Sequence, residues 1–217
     1  MYTLHKMNII SKIFNTKKTL LEMLDLRKFE TDKHTNFNLE EIDIMYRSMD
    51  KKVSHENSPL DFNCINEDKT CYIKFVLFTK LRLANLKTLI NNMIDEYVKE
   101  GDTIIFIVKD KINNIDLFDS SLNVYLENNN IFIQIFWMDT LLFNITKHEL
   151  VPPMRILNIE EKNSLLKKAN INTFIQLPLI LKNDPVAKFY GLKKGNVVEI
   201  TRPSPTAGIY KNYRYCQ

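Results

Sequence analysis

Val151-Pro152-Pro153 sets the strongest limit on how this chain folds. Successive prolines fix φ twice and remove two N–H donors, so neither a helix interior nor a central strand runs through them. A boundary between Phe143 and Pro153 is expected, dividing the 217 residues into 1–143 and 144–217. The charge changes at the same place. Residues 1–143 hold 18 Lys+Arg against 21 Asp+Glu, net −3, and residues 144–217 hold 12 against 5, net +7. An acidic first part joined to a basic second part suggests two units with different partners. A basic unit meets nucleic acid or an acidic protein surface, and charge alone does not separate these.

The spacing of apolar residues gives the elements of the first part. Leu4, Met7, Ile10, Ile13, Phe14, Leu20, Leu21 and Leu24 recur at helical steps and predict a helix over 3–28. Asn36 or Asn38 caps a second helix, with Glu40 and Glu41 in its first turn and Ile42, Met45, Tyr46 and Met49 inward. Residues 50–70 read as a loop with a short strand over 62–65. A strand follows over 71–79 and a helix over 85–100, with Gly101 at C′. Next come a strand over 103–108, a helix over 116–127 and a strand over 131–136. Strand–helix–strand–helix–strand with short links predicts parallel pairing.

The second part reads as a small mixed unit. Asn158 caps a helix over 159–169, and a strand-like stretch covers 177–181. Asp184-Pro185 opens a short helix that Gly191 stops. Strands follow over 196–202 and 210–215, with Gly195 and Gly208 at turns. The fold class is therefore α/β plus α+β.

No motif assembles a reaction centre. GxGxxG, P-loop and GxSxG patterns are missing, and Pro152 stands where HExxH after His148-Glu149 would need its second histidine. Four glycines are too few for phosphate-cradling loops. Cys64, Cys71 and Cys216 are odd in number and not spaced for zinc, which suits free thiols in a reducing compartment. No metal and no cofactor is expected. The apolar runs fall far short of the ~20 residues that span a bilayer, and no secretory leader is recognisable, so no membrane partner is expected. Tyr210-Lys211-Asn212-Tyr213-Arg214-Tyr215 alternates aromatic and basic residues. On a strand this is either a base-stacking platform or a sheet with one packed face and one interface face.

Residues 144–217 carry a specific resemblance. Asn144-Ile145-Thr146-Lys147-His148-Glu149-Leu150-Val151-Pro152 is similar to the segment that opens the assembly domain in the fifth-subunit family of cellular RNA polymerases, which comprises a eukaryotic form and a shorter archaeal counterpart. Leu177-Pro178, Asp184-Pro185-Val186-Ala187, Gly191-Leu192-Lys193-Lys194-Gly195, Val197-Val198-Glu199-Ile200, Arg202-Pro203-Ser204, Thr206-Ala207-Gly208 and Tyr213-Arg214 follow in the family's order and spacing. The archaeal form resembles this part alone, so residues 1–143 place the chain with the long, eukaryote-like form, where they would be a jaw-type domain.

The resemblance implies a non-catalytic subunit of a multisubunit DNA-directed RNA polymerase. Residues 144–217 would dock on the largest subunit beside neighbouring small subunits, and the jaw would lie near downstream duplex DNA. Asp184, Pro185, Gly191, Lys193, Gly195, Arg202, Thr206, Gly208, Tyr213 and Arg214 are the candidate interface residues. Arg202 and Arg214 are either solvated strand charges or bidentate partners of a carboxylate. Lys109 and Lys111 are the DNA-proximal candidates, offset by Asp110 and Asp116 and without the proline of the family's Ile-Thr-Pro-type turn. The net −3 of the jaw argues against independent DNA affinity. A nuclear location follows if the source is cellular, and cytoplasm or virion if it is a large DNA virus, which the Asn-rich composition also fits. The alternative is a free-standing nucleic-acid-binding regulator on the same fold. An α/β enzyme over 70–136 would need a cluster of titratable groups that the sequence does not offer.

Overall fold

The structure is a computed structural model that describes residues 8–49, 58–67, 69–77, 83–109, 130–206 and 208–217. The chain divides into two compact units, Met1–Phe143 and Asn144–Gln217. Leu4, Met7, Thr79, Lys111 and the helix read over 116–127 lie outside the described residues.

The first unit opens with α1 (Ile9–Leu26), whose Asn8 side chain accepts from the Ile10 N–H. Ile13, Leu20, Leu21, Met23 and Leu24 are buried along it. Helix α2 (Leu39–Ser48) starts at Asn38, not Asn36. The Asn38 side chain takes the Glu41 N–H, and the Glu41 carboxylate takes the Asn38 N–H. This reciprocal cap satisfies two N–H groups that a helix start otherwise leaves open. Of the four residues expected on its inner face only Ile42 is fully buried.

Strand β1 (Phe62–Asn66) and β2 (Lys69–Val76) form an antiparallel hairpin that places Cys64 opposite Cys71. Strands β3 (Thr103–Val108) and β4 (Phe132–Trp137) extend the sheet in the order β1-β2-β3-β4, with β2, β3 and β4 parallel. All six residues of β3 are buried, as a central parallel strand covered on both faces requires. Ile104, Phe106 and Val108 pack with Leu86, Ile90 and Met93 of α3 (Leu83–Glu96). On the other face, the α1 ammonium of Lys17 lies 4.7 Å from the Phe37 ring centre and 5.5 Å from that of Phe62.

Gly101 is not the C′ residue of α3, which ends at Glu96. The Val98 N–H turns back to the Met93 carbonyl, and the Asp102 carboxylate takes the N–H groups of Lys99 and Thr70. Asp102 thus supplies acceptors that compete with a further helical turn. Gly101, at φ +91°, serves the turn into β3 instead, where its N–H meets the Asn130 carbonyl.

The second unit is a four-stranded sheet in the order β5 (Met154–Ile156), β7 (Val197–Ser204), β8 (Gly208–Cys216), β6 (Leu179–Ile180). Strand β5 (Met154–Ile156) directly follows the two prolines, where the sequence carries no strand signal of its own. It is an edge strand, where missing N–H donors are tolerated, and the Pro153 carbonyl still accepts from Thr201. The stretch 177–181 contributes only the two residues of β6 (Leu179–Ile180). Strands β7 (Val197–Ser204) and β8 (Gly208–Cys216) form the central hairpin. Helix α4 (Ile159–Ala169) covers the face with Leu157, Leu165, Val197, Tyr213 and Tyr215. Helix α5 (Pro185–Tyr190) covers the opposite face, with Ala187, Val198, Ile200 and Cys216.

Candidate functional site

The candidate residues of the second unit fall into groups with different work. Asp184 caps α5 through one oxygen, Oδ1, which takes the N–H groups of Val186 and Ala187 at 2.9 and 3.1 Å. Pro185 supplies the first helical φ, and Gly191 ends the helix at φ +69°. The Lys193 N–H bonds Asn196 Oδ1 at 2.7 Å, and Gly195, at φ +88°, donates to the Cys216 carbonyl. These residues lock the α5–β7 connection onto the end of β8.

Arg202, Thr206 and Gly208 gather at the tip of the β7–β8 hairpin. Arg202 is exposed and pairs in register with Tyr210, and Gly208 pairs with Ser204. The Thr206 hydroxyl lies 3.4 Å from that of Ser204. Ile209 and Tyr210 beside them are 69% and 54% exposed. Arg214 lies six residues beyond Gly208 along β8, about 20 Å from this tip. Its Nη1 donates to the Leu179 carbonyl at 3.3 Å, while its Nε is buried without a hydrogen-bond partner among the described residues.

Tyr213 stands on the α4 face and is committed internally. Its hydroxyl donates to Glu199 Oε2 at 3.1 Å. Glu199 Oε1 receives Arg155 Nε at 3.1 Å and Lys211 Nζ at 3.2 Å, and Arg155 also pairs with Glu161. Burial alone would raise the Glu199 carboxyl, but the hydrogen bonds from Lys211, Arg155 and Tyr213 outweigh it and hold it below the ordinary range. Burial, then the hydrogen bond to Glu199 and its charge, pushes the Tyr213 phenol up. The alternation of Tyr210–Tyr215 therefore resolves into the α4 face, where Tyr215 stacks on Phe174 at 6.4 Å, and the α5 face, which carries Arg214 opposite Val198. Arg155 and Glu161 escaped the sequence reading. Their only local signal is the capping box of Glu161 with Asn158, because the pairing with Glu199 arises from strand register.

In the first unit Lys109 is exposed at the end of β3, and Lys111 lies outside the described residues. All three cysteines are buried free thiols, and burial raises the Cys64 thiol to about 11 and the Cys71 thiol to about 12. Exposed His148 accepts the Leu150 N–H on Nδ1. Among the described residues no group of three His, Cys, Asp or Glu side chains is placed to hold a metal ion, and no helix is long and apolar enough to cross a membrane.

Residues 143–216 match the family described as RNA polymerase Rpb5, C-terminal domain. Over 213 residues the chain is 33% identical to the DNA-directed RNA polymerases I, II, and III subunit rpabc1 of Dictyostelium discoideum, covering 97% of this chain and 100% of that one. It is 28% identical over 207 residues to the corresponding subunit RPABC1 of Caenorhabditis elegans, covering 94% of each. The DNA-directed RNA polymerase subunit Rpo5 of Pyrococcus abyssi is 56% identical over 72 residues, 33% of this chain and 87% of that one. The archaeal likeness is thus confined to about a third of the chain, whereas the amoebal relative is matched from end to end. With that full-length likeness and the hairpin motifs in place, the chain belongs to the fifth-subunit family of DNA-directed RNA polymerases.

Proposed function

We propose that this chain is a non-catalytic subunit of a multisubunit DNA-directed RNA polymerase. Residues 144–217 act as its assembly domain and dock on the largest subunit, next to other small subunits. Residues 1–143 act as a jaw-type domain held near downstream duplex DNA. The observation that carries the docking role is the surface of the second unit. It leaves Leu150, Ile175, Leu179, Leu181, Ile209 and Tyr210 exposed on a 74-residue body of net +7. Exposed apolar side chains of this number on so small a body give a partner apolar area to cover. Arg202 stands beside Ile209 and Tyr210 at the hairpin tip.

The DNA role is local and depends on assembly. Affinity for duplex rests on neutralising phosphates, and the first unit has net −3 with Lys109 at one exposed strand end. The jaw therefore guides duplex that the assembled enzyme already holds.

Arg202→Glu and Gly208→Val test the docking face. The first reverses an exposed charge. The second forces a β-branched residue to φ +69°, where no neighbour lies within 4 Å of the added Cβ and the strain comes from the backbone alone. Both variants should lose incorporation into polymerase while Trp137 fluorescence in the first unit is unchanged. If either assembles as tightly as the parent chain, the docking face lies elsewhere.

A further inference from the structure

Strand β6 ends the second sheet and pairs with no further described strand on its outer side, where the Leu179 carbonyl takes Arg214 Nη1 and the Leu181 carbonyl takes the Asp184 N–H. Tyr215 and Gln217 donate to the carbonyls of Pro178 and Ile180. The peptide groups of Leu179 alternate with these and point away from β8. The flanking Leu179 and Leu181 side chains are 43% and 65% exposed. Arg214 reaches across to this edge, where Nη1 bonds the Leu179 carbonyl and the buried Nε has no hydrogen-bond partner among the described residues. Arg214 is half-buried, and its cationic head at this edge offers a charge-assisted hydrogen bond to an incoming carboxylate. The opposite edge is less suited. Pro152 and Pro153 offer no N–H beside β5, and Arg155 is paired with Glu161 and Glu199.

We infer that the outer edge of β6 receives an extended segment of a partner polymerase chain as an added strand, with an Asp or Glu of that segment on Arg214. The inference rests on the subunit reading and specifies one seam of it. The N–H groups of Leu179 and Leu181 donate to the main chain of the segment, whose apolar side chains cover Leu179 and Leu181. The occupant is acidic because the body that receives it is basic, net +7, and because the guanidinium of Arg214 stands at this edge.

The test uses the full chain assembled into polymerase. A photoreactive benzophenone side chain replaces Leu181 in one preparation and Ile159, exposed at the start of α4, in another. The Leu181 probe should link to one contiguous, carboxylate-bearing segment of a large polymerase chain, and the Ile159 probe should not link to that segment. Incorporation should fall at least tenfold for Arg214→Glu and stay within twofold for Arg214→Lys. Leu181→Asp, at an exposed position that the fold does not need, should fall with Arg214→Glu and separates lost docking from lost folding. Normal incorporation of Leu181→Asp, or linkage of the Leu181 probe to a segment without carboxylates, overturns the seam and leaves the subunit reading standing. Failure of the parent chain itself to enter polymerase overturns both.

Discussion

Tyr213 and Glu199 face each other across the β7–β8 ladder, and the tyrosine hydroxyl donates to the Glu199 carboxylate at 3.1 Å. Glu199 is only 6% exposed, yet it stays charged because three donors converge on it from β5 and β8. A buried carboxylate so surrounded pins the register of both hairpin strands. A slip of one residue would carry Glu199 to the α5 face, among Val198 and Ile200, where it has no such donors.

Glu199→Gln keeps the shape but removes the charge. It should destabilise the second unit by roughly 1.5–3 kcal/mol, the range for hydrogen bonds to a charged group. Tyr213→Phe removes one donor and leaves Lys211 and Arg155, so a loss of about 1 kcal/mol is expected. Thermal unfolding of the two variants beside the parent measures the order. Equal melting of all three would show that the network contributes nothing net.

The same carboxylate gives an acid limb with a defined sign. Its folded pKa lies below the unfolded value of 4.5, so the unfolded state binds the proton first. The stabilisation is fully present above 4.5 and is lost as pH falls through the folded value. Asp61 works the other way. Burial raises its pKa above 3.8 despite the N–H groups of Phe75 and Ser58 and the ammonium of Lys74, so its part in stability falls as pH rises through that window. Acid titration followed by tyrosine circular dichroism should show a transition below pH 4.5 that Glu199→Gln flattens. The fluorescence of Trp137, the single tryptophan, reports the first unit separately.

Asp184→Ala removes the acceptor for two N–H groups at the start of α5 and should cost about 1 kcal/mol, with Asp184→Asn close to the parent. Urea unfolding of the full chain would detect this as a shifted midpoint at constant slope. An unshifted midpoint for Asp184→Ala would remove the cap from the account.

Phe106 is fully buried on the central strand of the first sheet, against α3. Phe106→Ala should cost about 3–5 kcal/mol and release Trp137 emission at lower denaturant, while the melting of the second unit keeps its midpoint. Loss of both units together would instead show that they unfold as one body.

Much of this fold was legible because its signals are local. Asn38-Leu39-Glu40-Glu41 and Asn158-Ile159-Glu160-Glu161 spell their capping boxes within four residues. Asp184, Pro185 and Gly191 mark both ends of α5 in the same way. The misses share a different cause. The end of α3 depends on Asp102, which reaches back to Lys99 and across to Thr70, 32 residues away. The Glu199 network joins Arg155 and Glu199, 44 residues apart, through strand register that no short window contains. Strand β5 is three residues long and follows two prolines, so its only signal is its partner β7. The family motif was legible as a string, but it did not separate residues that build the α5–β7 connection from those left exposed at the hairpin tip.

The most direct measurement is a tagged pull-down of the full chain from its native source at about 0.5 M salt, with retained chains identified by mass. That salt shortens electrostatic screening to well under 10 Å and strips loosely held polyanions. The account predicts the two large polymerase chains at near-equal stoichiometry with this one. Recovery of the chain alone, with nucleic-acid binding at low salt, would contradict it.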